Sequence, residues 1–366
     1  MNVTTRYLVL QNHISSSALF LSKLCLVVDR CSFSRISSTV GFFNKGFVEI
    51  MNSRIEKSLS APIIYQKSEM TFEIKSTNFE YTSSMTIKNC IFRDITANMK
   101  GTIYFKAVGD LSIMYTSFIR VTSTYDYGWD FSSGGVLMKE CNSFIVYSSC
   151  FDEPHSSKSG SINVRAYECN NNYVFINNSL FMNTGKKGYC VDMITSSTVV
   201  CVHRDQNSTN LQHGRAFWVD KVSNGPADVM YIKTLGLKGD HLIGFNMNVG
   251  YAIIKNLCSI NDTCSYLFNS ISSGSIYVSD STFSGFSTST FFTGTGIMVV
   301  YKCIFDKSIV ISKGTLNSFG LLRTQDINQV DIRYCGLASF TPTLSVFESR
   351  YNLKMNLFSA ISIFCC

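Results

Sequence analysis

The chain predicts an all-β fold: one single-stranded, right-handed parallel β-helix, a solenoid of roughly a dozen coils. Three observations predict it. A Phe-centred unit recurs along the chain, the composition favours strands, and short Gly-led apolar segments follow the Phe unit. The unit first reads Cys31-Ser-Phe33-Ser-Arg-Ile36-Ser-Ser-Thr39 and returns as Cys90-Ile-Phe92-Arg-Asp-Ile95-Thr-Ala-Asn98. It returns again as Thr116-Ser-Phe118-Ile-Arg-Val121-Thr-Ser-Thr124 and Ser281-Thr-Phe283-Ser-Gly-Phe286-Ser-Thr-Ser289.

Composition comes next. Of 366 residues, 45% are apolar and 16% charged, too apolar for a disordered chain and too low in charge for long solvated helices. The 28 Phe and 18 Tyr, with many Ser, Thr and Val, suit a pleated surface, and only 4 Pro interrupt any ladder. Net charge is +7 and diffuse; Lys186-Lys187 is the longest lysine run, so no basic stripe for nucleic acid is expected.

Before each Phe unit stands an apolar strand: Met85-Thr-Ile-Lys88, Leu111-Ser-Ile-Met114, Phe144-Ile-Val-Tyr147, Tyr173-Val-Phe-Ile176, Ser275-Ile-Tyr-Val278 and Met298-Val-Val-Tyr301. After it comes Gly leading into a strand: Gly101-Thr-Ile-Tyr-Phe105, Gly134-Gly-Val-Leu-Met138, Gly160-Ser-Ile-Asn-Val164, Gly188-Tyr-Cys-Val-Asp192, Gly214-Arg-Ala-Phe-Trp218 and Gly296-Ile-Met-Val-Val300. Gly is expected there for the positive φ of a sharp corner. The Phe positions run 92, 118, 151, 181, 260 (Ile), 283 and 305, so the gap of 79 residues should hold three coils. Tyr125-Asp-Tyr-Gly-Trp-Asp130 lengthens one coil and reads as a bulging loop. Each coil alone leaves its inner face bare; stacking at about 4.8 Å buries it and gives a rod some 50–60 Å long. The competing layout is a propeller or sandwich. Its Asn-Gly or Asp-Gly hairpin turns are nearly missing, with Asn224-Gly225 alone. The expected organisation is an N-terminal cap or degenerate targeting segment over 1–24, the β-helix over 25–340, and a C-terminal cap or truncated end over 341–366. Handedness rests on the chirality rule for parallel crossovers.

These coils resemble right-handed parallel β-helix proteins of the pectate-lyase-like fold. They most resemble protozoan (trichomonad-type) surface families with polymorphic-outer-membrane-protein repeats. Such repeats are built on Gly-Gly-Ala-Ile and Phe-x-x-Asn; the nearest matches are Gly134-Gly-Val-Leu137 and the Phe-x-x-Ile/Val segments at Phe33, Phe92 and Phe118. The resemblance covers roughly residues 25–310 and implies surface display, with a signal peptide and a C-terminal membrane span. Against that expectation, the apolar stretch from Ser17 to Val28 is split by Lys23 and reads as the first strand of the solenoid. The segment from Ser281 to Tyr301 holds too much Ser, Thr and Gly to span a bilayer, and the tail from Met355 to Cys366 is too short. Cys365-Cys366 lacks prenylation-box spacing, since Ile363 stands where that Cys belongs. Membrane association would therefore need an anchor that is missing or degenerate here.

Fourteen Cys fit no compact disulfide framework. Cys31, Cys90 and Cys303 share one repeat position and are expected to stack as buried thiols; some disulfides are the alternative. Cys25/Cys31 and Cys258/Cys264 match no zinc-knuckle spacing, and the five His, among them His203 and His213 near Cys201, are scattered, so neither metal nor cofactor is expected. Sequons occur at Asn2, Asn177, Asn207 and Asn261; the last three are candidate N-glycosylation sites.

Catalytic motifs give little. His203-Arg-Asp205 with Asn210 mimics a kinase catalytic loop, but its phosphate loop, strand Lys and Asp-Phe-Gly are missing. Since this fold hosts polysaccharide lyases and hydrolases, a carboxylate pair matters. Asp126 and Asp130 share the long loop with Tyr125, Tyr127 and Trp129, a candidate glycan or partner contact. The polygalacturonase signatures are missing, and Gly239-Asp-His241 is a faint echo. The expected function is a non-enzymatic, elongated scaffold, at the surface or secreted, contacting cell-surface or host proteins or glycans through a lateral face or loops. The competing expectation is a carbohydrate-active enzyme of the pectate-lyase-like class. An intracellular fragment is the third.

Overall fold

Alternating side chains decide the elements. In Cys25–Asp29, Leu26 and Val28 are buried while Cys25 and Val27 are half-exposed, the two-residue period of a strand with one face inward. The same alternation returns in Phe47–Met51, Gly109–Met114, Tyr251–Lys255, Ser275–Ser279 and Ile297–Tyr301. The structure is a computed structural model that describes residues 2–319 apart from short connections, the longest being 67–82 and 125–132. In the strands across 163–250 it describes backbone, with a side chain only at Ile243.

The described residues are all-β, without helix, and every pairing between described strands is parallel. This excludes a hairpin-built sandwich or propeller for them. The strands fall into three ladders, and each rung pairs with the rung one repeat later. The first ladder begins with Asn2–Arg6 on Cys25–Asp29, then Phe47–Met51, Ser83–Lys88 and Gly109–Met114. It ends with Ile297–Tyr301 on Thr315–Phe319. The second carries Ser32–Ser34, Arg54–Glu56, Ile91–Ala97 and Ser117–Ser123. The third carries Gly41–Phe43, Ile63–Gln66, Ile103–Lys106 and Val136–Lys139. The arrangement fits a β-helix-type repeat. The stretch from Ser17 to Val28 splits between two ladders, Phe20–Ser22 in the third and Cys25–Asp29 in the first.

The core is the inward column of each ladder. In the second, Phe33, Ile55, Phe92, Phe118 and Phe151 follow in register. Phe92, Phe118 and Phe151 stack nearly parallel, with centroids 5.1 and 4.7 Å apart, and Phe283 stacks on Phe305 at 5.0 Å. In the third ladder Tyr65 stacks on Phe105 at 4.9 Å, and its buried hydroxyl donates to the Gly46 carbonyl at 2.6 Å.

Register corrects two positions in the Phe series. Phe151 pairs with Leu180, which places Phe181 beside Asp152, and Phe283 pairs with Ser259, which leaves Ile260 half-exposed beside Ser284. A one-residue slip exchanges the faces, and apolar identity alone does not reveal it. From Leu180 the column continues through Asp205 and Thr234 to Ser259, three steps of 25, 29 and 25 residues. The gap thus holds the expected number of turns; the motif vanishes because polar residues occupy its Phe position.

Corners come in pairs. Positive φ occurs at Tyr7 and Asn12, Arg30 and Arg35, Asn52 and Lys57, Asn89 and Asp94, Tyr115 and Arg120, and Asp280 and Gly285, always five residues apart. At the first corner the Arg30 amide donates to Met51 at 3.1 Å and the Asn52 amide to Lys88 at 3.0 Å. At the second, the Asn12, Arg35 and Lys57 amides reach Ser34, Glu56 and Arg93 at 3.0, 3.0 and 2.9 Å. The bends therefore keep the inter-rung bonds that buried backbone needs. The Gly-led segments behave otherwise than expected. Gly101, Gly134 and Gly296 are not in the left-handed region. At Gly101 a Cβ would sit 3.2 Å from the Ser133 carbonyl and 3.3 Å from the Leu137 nitrogen, so a side chain there would have to push the neighbouring backbone aside by a few tenths of an ångström.

Right after the first corner lies a buried column of small donors: Cys31, Ser53, Cys90, Thr116, Ser149, Ser281 and Cys303. Ser53 Oγ donates to the Met51 carbonyl at 2.7 Å and accepts from the Cys31 amide at 3.1 Å. Cys90 Sγ donates to the Lys88 or Ile50 carbonyl, at 3.3 and 3.4 Å. The stacked-thiol expectation holds for Cys31, Cys90 and Cys303, which are free and buried. The disulfide alternative also appears, since Cys150 is disulfide-bonded.

Two stability outcomes follow. Phe118→Ala should cost about 3–5 kcal/mol in denaturant unfolding, because both of its stacking partners lose contact. Cys90→Ser should be tolerated, as Ser53 and Thr116 fill the same position. Cys90→Val keeps the shape and removes the donor, and should cost about 1–3 kcal/mol more than Cys90→Ser. Equal stability of the two Cys90 variants would show that the thiol bonds nothing that matters.

Candidate functional site

The outer face of the first ladder carries a tyrosine strip. Period-two alternation places Tyr251, Ile253 and Lys255 outward around buried Ala252 and Ile254. Tyr277 lies outward between buried Ile276 and Val278, and Ile297, Val299 and Tyr301 flank buried Met298 and Val300. Register sets the spacing across rungs. Tyr277 pairs with Ile253, while Tyr301 pairs with Ser279, which itself pairs with Lys255. The three tyrosines therefore step diagonally across three successive rungs.

Tyr251, Tyr277 and Tyr301 are 42, 44 and 45% exposed and Ile297 is 43% exposed, a level unusual for neighbouring large apolar groups. The Tyr251 and Tyr277 rings meet edge to face at 6.0 Å, and the Lys302 ammonium lies 5.0 Å from the centre of the Tyr301 ring. Tyrosine offers a wide contact area with two side-chain torsions to freeze, and its hydroxyl remains available to a polar partner. The sheet beneath is hydrogen-bonded on both sides, so the rings ride on a rigid base.

A second, charged cluster sits at the second corner. Arg120 Nε donates to Asp94 Oδ1 at 2.6 Å, and that bond, with the Asp94 charge, raises the guanidinium pKa. On the next rung the Asp152 carboxyl is raised from its ordinary value, first by burial and then by the Glu153 charge, with Arg120 opposing. Earlier on the second ladder the Glu56 carboxylate forms ion pairs with Arg54 at 2.7 Å and Arg93 at 3.4 Å.

Of the sequence candidates, Tyr125, Asp126, Tyr127, Trp129 and Asp130 lie outside the described residues, as does Asn207. Asn177 falls in the strand Tyr173–Phe181, its side chain outside the described set. Asn261 is described: it is an exposed second-corner residue with φ of 54°. His203 to Asp205 and Gly239 to His241 run in the strands Val199–Gln206 and Lys238–Met247. Among the described residues no three His, Cys, Asp or Glu gather as a metal site, and no helix is long and apolar enough to cross a membrane. The sequence reading missed the tyrosine strip. Its only trace is an outward Tyr in three alternating strands, and register is needed to see that those positions adjoin.

Compared with known proteins, the chain matches no family model and no curated protein. The likeness drawn from Gly134 to Leu137 and the Phe segments thus stands on those residues alone.

The core thiols carry a pH signature. Burial raises Cys31 and Cys303 from 9.0 to about 11, and Cys90 to about 12. A thiol whose pKa is raised by folding stabilises fully below its unfolded value, and that contribution is lost as pH climbs through the window from 9 towards 11–12. Native alkylation at pH 8 should therefore be slow at all three and slowest at Cys90. The Cys31→Ser, Cys90→Ser, Cys303→Ser triple variant should lose less stability between pH 8 and 10 than the parent. Alkylation at the rate of a free thiol would show that these groups are not buried.

Proposed function

We propose that the three ladders close into a right-handed parallel β-helix of the pectate-lyase-like kind. We read it as a non-enzymatic, elongated scaffold at the cell surface or secreted, binding proteins or glycans through a lateral face. The observation that carries this reading is the strip of Tyr251, Tyr277 and Tyr301 on the outer face of a rigid sheet. Aromatic anchors on a fixed base lose little entropy on binding and are the residues that dominate contact energies. The disulfide at Cys150 is of a kind that persists in oxidising compartments, which supports the location. The long loop from Tyr125 to Asp130 is a second contact candidate on the same reading.

One observation favours the enzyme reading: burial and the neighbouring Glu153 charge raise the Asp152 carboxyl above its ordinary value, the direction a general acid needs. The two readings separate cleanly. Purified full chain is applied to an array of cell-surface ectodomains and glycans and, in parallel, assayed for polysaccharide cleavage. The scaffold reading expects binding without cleavage. It also expects the Tyr251→Ser, Tyr277→Ser, Tyr301→Ser triple variant to bind at least tenfold more weakly, each ring being worth more than about 1 kcal/mol. Its melting temperature should be unchanged, since exposed positions shift stability by less than about 0.5 kcal/mol. Cleavage abolished by Asp152→Asn would replace the scaffold reading, and unaltered binding by the triple variant would remove the tyrosine strip from it.

A further inference from the structure

Four described asparagines occupy the left-handed corner positions: Asn12, Asn52, Asn89 and Asn261. Three have their side-chain amides engaged across rungs. Asn52 Nδ2 donates to Asp29 Oδ1 at 2.9 Å, Asn89 Nδ2 donates to Asn52 Oδ1 at 3.2 Å, and Asn12 Oδ1 accepts from Arg35 at 3.3 Å. Asn261 differs. Its backbone amide is used, donating to the Ser284 carbonyl at 2.8 Å, but its side-chain amide makes no hydrogen bond among the described residues. It alone of the four heads an Asn-x-Thr triplet, Asn261-Asp262-Thr263.

The surroundings are also unlike those of the other corners. Second-corner positions elsewhere carry Asn12, Arg35, Lys57, Asp94, Arg120 and Glu153, all with side chains. Asn261 instead lies between two glycines. The Gly236 amide donates to the Ile260 carbonyl at 2.9 Å, which puts Gly236 on the preceding rung at the same corner, and Gly285 takes that corner on the following rung. Both glycines have positive φ, 64° and 66°. A Cβ at Gly285 would fall 2.1 Å from Asn261 Oδ1, so the carboxamide lies over the space this glycine leaves. Asn261 and Thr263 are exposed, while the residue between them, Asp262, is turned in and accepts a hydrogen bond from Ser259 Oγ at 2.6 Å.

We infer that Asn261 is an N-glycosylation site, with an amide free to carry a sugar and a corner cleared on both sides to hold it. The inference rests on the surface-or-secreted reading. The donor class is a lipid-linked diphospho-oligosaccharide. Asn261 Nδ2 bonds to the anomeric carbon as the anomeric C–O bond to the diphosphate breaks. The lipid diphosphate leaves with the electron pair, and one Nδ2 proton passes through a base to water. No group is oxidised or reduced.

The test is to express the full chain behind a secretory leader in a eukaryotic host and map occupancy by amidase release in heavy-oxygen water and mass spectrometry. We expect most secreted molecules to carry a glycan at Asn261. Asn261→Gln and Thr263→Ala should each lose one glycan's mass with the melting temperature kept; the second variant retains the asparagine and so controls for folding. A secreted chain bare at Asn261 overturns the inference, whether or not Asn177 and Asn207 are occupied. Failure of the location reading looks different: chain taken from its own cell would be sugar-free with Cys150 reduced, while the leader-driven chain would still accept sugar at Asn261.

Discussion

The inter-rung hydrogen bonds at the two corners are the constraint on which the rest of the structure depends. A strand can pair in parallel with its neighbour only if the bends before and after it repeat at the same place in every turn. Here the amides of the left-handed residues at both corners reach forward to the next rung at 2.8–3.2 Å, so the bend is part of the ladder. A non-glycine residue with positive φ is ordinarily costly. Tyr7, Arg30, Arg35 and Lys57 take such positions here with their amides bonded to the next rung. The buried column of Cys, Ser and Thr then serves the carbonyls and amides that the first corner turns inward.

Packing follows from that repetition. Because each turn returns to register, a Phe at one rung meets a Phe at the next, and rings stack face to face instead of filling space irregularly. Where the register position holds Asp205, Thr234 and Ser259 the parallel ladder continues, with one bulge between Phe175 and Asn178. The hydrogen-bonded stack therefore tolerates interruptions of the aromatic column. That tolerance explains why the repeat is strong in two stretches of the sequence and faint between them.

Function, on this account, belongs to what the repetition leaves outside. The inner positions are committed to the core, so variation at outward positions is free to build surface chemistry. The tyrosine strip lies on the outer face of the first ladder, while the Asp94–Arg120 pair and Asn261 lie at the second corner. A face that binds and a corner that carries sugar can thus coexist on one turn of the chain.

Much of this was legible from residues alone. Strand character came from alternation and composition, the repeat from the Phe unit, and the buried thiols from the shared position of Cys31, Cys90 and Cys303, because these are local or periodic signals. The sequence also determined the number of turns in the gap, since length is conserved where motif is not. Only the tertiary structure decided register, and with it which residues adjoin. Phe181 and Ile260 looked like column members and are not, because alternation has two faces and apolar identity does not say which is inward. The corner residues were likewise invisible. Tyr7, Arg30 and Asn52 share a backbone conformation that their side chains do not announce, and each amide is bonded to the next rung. The tyrosine strip is the same case: three residues separated by 26 and 24 positions become neighbours only when parallel rungs are laid side by side.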